Sequence, residues 1–74
     1  MDLEELGGIL KEMYLNAPQK EQVAYIHLFG IKYAEIIRKN NFKISSIIKS
    51  SGIQKSYAVE VSKGVKLAKF VCLK

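Results

Sequence analysis

Between Ile44 and Gly64 the chain reads ISSIIKSSGIQKSYAVEVSKG, and no other stretch restricts its folding as tightly. Ile44, Ile47 and Ile48 recur at i, i+3 and i+4, so they share one apolar helix face, while Ser45, Ser46 and Lys49 point away from it. Ser50, Ser51 and Gly52 end that helix, because Gly adopts the left-handed conformation at a helix terminus without the cost a side chain imposes. After Ile53 a second helix is expected from about Gln54 to Lys63. It places Tyr57, Ala58 and Val61 on one side and Lys55, Ser56, Val59, Glu60 and Lys63 mostly on the other, and Gly64 is expected to close it. Two short helices joined by a tight Gly-containing turn are the sequence form of a helix-turn-helix.

Length decides how much support that motif can have. With 74 residues, one domain covering 1–74 is expected, with the motif at about 44–64. A chain of this size buries only about 60% of the surface its unfolded form exposes, so a second copy or a partner would help its core. The acidic N-terminus lacks a secretory pattern. The most apolar stretch, Val23 to Ile31, is interrupted by His27 and falls well short of the roughly 20 apolar residues a membrane span needs. One Cys, Cys72, cannot form an intramolecular disulfide, which fits a cytoplasmic location.

Charge is split between the two halves. Residues 1–35 hold three lysines against Asp2, Glu4, Glu5, Glu12, Glu21 and Glu35, a net charge of −3. Residues 36–74 hold nine basic residues against Glu60 alone, a net charge of +8. The basic half contains the helix-turn-helix. A basic face on such a motif is the electrostatic footprint of phosphate contact, whereas scattered lysines alone would serve only solubility.

The rest of the chain reads as helical support. A first helix is expected from Leu3 to about Asn16, started by Asp2, with Leu3, Leu6, Ile9, Leu10 and Met13 as its stripe. Gly7 and Gly8 weaken its middle and allow a close helix contact. Asn16-Ala17-Pro18 breaks it, and Pro18 is expected in the first turn of a second helix running from about Gln19 to Lys39. That helix carries two stripes. Val23, Ile26, Gly30, Tyr33, Ala34 and Ile37 make one, and Tyr25, Leu28, Phe29 and Ile36 make the other. Either the helix is central to the bundle, or the second stripe is a dimer interface. Asn40 and Asn41 end it and Phe42 anchors the entry to the motif. Residues 65–74 read as a short last helix closing the core, with a membrane-surface role as the lesser alternative.

Gly52-Ile53, Ser56-Tyr57-Ala58, Glu60-Val61 and Gly64 resemble the Cro and phage-repressor class of helix-turn-helix proteins, in which a Gly-hydrophobic turn leads into a recognition helix of Ser-Tyr-apolar type. The resemblance implies a small all-α bundle of four to five helices that reads duplex DNA. Three positions differ from the class. Ile44 replaces a phosphate-contacting Gln, Ile48 replaces a small Ala at the helix crossing, and Gln54 replaces the Ser or Thr that caps the recognition helix.

Catalytic chemistry has little to build on. His27 is the only His and reads as a hydrogen-bonded core or interface residue. No paired spacing of ligands indicates a metal site, Cys72 reads as a small hydrophobe, and no Gly-rich phosphate loop or nucleophile elbow occurs. The expectation is therefore a non-enzyme without metal, cofactor or small-molecule substrate: a bacterial or phage-type transcriptional regulator binding duplex DNA as a homodimer. Gln54, Lys55, Ser56 and Glu60 are the candidates for base edges, and Lys43, Ser45, Lys49, Lys63 and Lys66 for phosphates. Two-fold symmetry would set the half-sites about 34 Å apart. The competing expectation is a helical protein-protein interaction module, adaptor or antitoxin-like, supported by Val59 and Glu60 on the face that would meet DNA.

Overall fold

A computed structural model describes residues 1–71 and 73, and among these the chain forms four α-helices and no strand. The chain is all-α, at the lower end of the expected helix number. Helix α1 spans Leu3–Asn16 and starts at Asp2. The Glu5 N–H donates to Asp2 Oδ1 at 2.8 Å, and the Asp2 N–H donates to Glu5 Oε1 at 3.3 Å. This reciprocal pair satisfies two donors that would otherwise be free at the helix start.

Helix α2 spans Gln22–Lys39, so it starts three residues later than expected from the sequence. Pro18 is not in its first turn. Lys20 takes φ +72° and the Glu21 N–H bonds Pro18 O at 2.9 Å, so residues 18–21 form a separate turn. The other end follows the expectation. Asn41 takes φ +55°, the Asn41 N–H bonds Arg38 O at 3.2 Å, and the Phe42 N–H bonds Ile37 O at 3.0 Å. Those two bonds make the Schellman closure of a helix, with Phe42 packed on the core beside it.

Helix α3 spans Ile44–Ser51. Gly52 follows at φ +79° with its N–H bonded to Ile48 O. Buried Ser51 holds the corner from both sides: its hydroxyl donates to Ile48 O at 2.7 Å and accepts from the Ile53 N–H at 3.2 Å. A single 3-10 turn, Lys55–Tyr57, then leads into α4, Ala58–Leu67. No side chain caps the 3-10 turn or α4, in keeping with Gln54 at the position where the class has Ser or Thr.

Helix α2 is the centre. It packs on α1 and α4, while α3 packs chiefly on α1. Leu6, Leu10, Ile26, Phe29, Ile37, Ile47, Ile48 and Val61 form the buried core. Two expectations change here. Phe29, placed by the sequence in a dimer stripe, is fully buried within one chain, while its stripe neighbours Tyr25, Leu28 and Ile36 are half-buried. Gly64, expected to end the motif, lies inside α4, and residues 65–67 continue the same helix.

The end of the chain differs as well. Instead of a separate closing helix, residues 68–71 turn through bonds such as Phe70 N–H to Leu67 O at 2.9 Å. Phe70 is left 82% exposed. The expectation for Cys72 lies outside the described residues.

Candidate nucleic-acid interface

Glycine sets the distance between the two helices that carry the motif's second half. A Cβ built on Gly30 would lie 2.7 Å from Val61 O and 2.8 Å from Gly64 Cα, so α4 rests on α2 with backbone against backbone. A second close approach, of side chain on backbone, lies between α1 and α3, where a Cβ on Gly7 would meet Ser50 Oγ at 2.5 Å. Of the two adjacent glycines in α1, Gly7 therefore makes the close approach and Gly8 faces open space. These two contacts seat α4 on α2 and α3 on α1. Tyr14 of α1 and Tyr57 of the 3-10 turn make a further contact, with ring centroids 5.3 Å apart and hydroxyls 3.5 Å apart. The Tyr14 hydroxyl holds the pKa of Tyr57 above its ordinary value.

A groove opens between α3 and the start of α4, lined by Ser45, Ser46, Ile48, Lys49, Gly52, Ile53, Lys55 and Ala58. It brings together three residues that the sequence singled out separately: Ser45, Lys49 and Lys55. Gln54 and Ser56 are exposed beside it, and Lys43 is exposed at the start of α3. Lys63 and Lys66 lie away from the groove, exposed further along α4. Ile44 is half-buried and packs on the core.

Glu60 is the residue whose environment sequence reasoning missed. Its Oε1 accepts from His27 Nε2 at 2.7 Å and lies 3.6 Å from Lys63 Nζ. The His27 hydrogen bond, and less so the Lys63 charge, hold its pKa below the usual carboxylate range. Both contacts are to Oε1, so the expected base-reading role of Glu60 would fall to Oε2 or would require the side chain to leave His27. Nothing in the residue pattern links positions 27 and 60. Only the Gly30 to Gly64 contact, three to four residues further along each helix, brings them together.

No helix among the described residues is long and apolar enough to cross a membrane. No curated protein and no solved structure matches the chain. Its sequence matches the family described as HTH-like domain over residues 2–74. That family corresponds to the helix-turn-helix in general, without singling out the Cro and phage-repressor class. With α3, the Gly52 corner and α4 arranged as a helix-turn-helix and the match running along nearly all of the sequence, the chain belongs to the HTH-like domain family.

Proposed function

We propose that the chain binds duplex DNA through α3 and α4 and acts as a small transcriptional regulator in the manner of the Cro and phage-repressor class. One observation carries the reading. The basic half has a single carboxylate, and Glu60 is engaged by His27 and Lys63, which leaves the groove edge of Ser45, Lys49 and Lys55 with no opposing acid from residues 36–74. Lys55, Ser56 and Gln54 then meet base edges at the start of the second motif helix, and Lys43, Ser45, Lys49, Lys63 and Lys66 hold phosphates. Membership of a helix-turn-helix-like family supports DNA binding in general terms.

Binding as a homodimer is part of the proposal. The exposed apolar residues Leu67, which ends α4, and Phe70 and Val71 just beyond it support pairing through that end of the molecule, alongside the half-buried Tyr25, Leu28 and Ile36 of α2. A cytoplasmic location goes with the same reading.

Fluorescence anisotropy on a mixed-sequence duplex, from about 50 to 200 mM salt, tests it. Log affinity should fall with log salt at a slope of about −0.9 for each phosphate contacted. Absence of binding at the low end overturns the reading. A salt-independent complex with a protein would favour the interaction module instead.

A further inference from the structure

We propose that Val59 reads a thymine methyl group in the major groove, an inference that rests on the duplex-binding reading above. Val59 is 58% exposed in the first turn of α4. Its neighbours Tyr57, Ala58 and Val61 belong to the apolar core or pack against it, and Val59 stands outside that cluster. A β-branched residue on an exposed helix face also costs helix propensity relative to Ala and gains nothing from burial within the chain.

Its surroundings name the ligand chemistry. Val59, Lys63 and Lys66 fall at i, i+4 and i+7, so they share one strip of α4, and both lysines are exposed. Glu60, one residue further on, bonds back to His27 on α2. The strip thus presents one apolar group and two ammonium groups, of which Lys63, 59% exposed at its side chain, also lies 3.6 Å from Glu60 Oε1. Lysines of this kind fit phosphates, and phosphate-bound lysines bring the strip down onto the bases.

Among the groups that the bases present in the major groove, the C5 methyl of thymine is the one alkyl group; the others are hydrogen-bond donors and acceptors and the small C–H edges of cytosine and the purines. An isopropyl group pressed on a donor or acceptor leaves it dry and unpaired, whereas against a methyl both partners lose only water. Thymine, with the largest apolar group on its edge, is the base that Val59 complements best. The stiff χ1 of a β-branched side chain holds its methyls in place for that contact.

Selection from random unmodified duplexes supplies the probe, and each thymine of the selected duplex is then replaced singly by deoxyuridine, which lacks only the methyl. Wild-type protein should lose about fourfold in affinity at one position of each half-site, the size expected for leaving one methyl-sized group unburied. Val59→Ser, checked for native helicity, should bind the thymine duplex no better than the deoxyuridine one. Indifference of the wild type to deoxyuridine at every position, with salt-dependent binding intact, overturns the role of Val59 and leaves the duplex reading standing. Retained discrimination in Val59→Ser does the same. Loss of all salt-dependent duplex binding overturns both.

Discussion

Gly30 of α2 and Gly64 of α4 lie so close that neither position has room for a Cβ: one on Gly64 would meet His27 O and lie 3.0 Å from Gly30 Cα. The obstructing atoms are backbone, which cannot rotate away. Gly64→Ala should therefore destabilise the chain by about 1–3 kcal/mol, as overpacking does elsewhere. Gly8, also helical but facing open space, makes the control, and Gly8→Ala should stabilise by up to about 1 kcal/mol. Denaturant midpoints of the two variants check both signs, and a neutral Gly64→Ala would show that the helices can slide apart.

His27 and Glu60 make stability depend on pH at the acid end. The Glu60 pKa is lowered in the folded chain, by the His27 hydrogen bond first, so its contribution is present above the unfolded carboxylate value of about 4.3 and is lost as pH falls through the lower folded value. Glu60→Gln should flatten the decline in melting temperature over that range. An unchanged acid limb would assign the decline to other carboxylates.

The Gly52 corner places α3 against the start of α4. At φ +79° with open space around it, the cost of a side chain there is conformational rather than steric. Gly52→Ala should lose about 1–2 kcal/mol, the price of the left-handed region, and Gly52→Asn should lose less because Asn tolerates it. Thermal melts of the two variants measure the difference, and equal losses would point to a clash instead.

Lys49 and Lys55 border the same groove and should behave differently on DNA. Lys49→Ala should weaken binding evenly across sequences and reduce the salt slope by about 0.9, as the loss of one phosphate contact does. Lys55→Ala should relax base preference at one position of each half-site. Salt titrations and binding-site selection on both variants separate these outcomes, and an unchanged preference in Lys55→Ala would remove its reading role.

What could be read from the sequence was what residues three to five apart settle among themselves. The start of α1 at Asp2, the end of α2 at Asn40 and Asn41, and the corner at Gly52 each depend on hydrogen bonds spanning three to five residues. Side-chain type alone announces them. Where a local choice was open, the sequence misled: Pro18 suits a helix start, yet Lys20 turns left-handed and delays α2 to Gln22. The glycine at 64 has the same appearance as the one at 52, but the first is needed for a helix crossing and the second for a turn. That difference resides in α2, which is distant in sequence. Tertiary packing alone decided that Phe29 is core, that α4 continues to Leu67, and that Glu60 bonds His27 from 33 residues away. Periodicity assigns a residue to a face of its helix, and only the neighbour brought in by folding determines what that face touches.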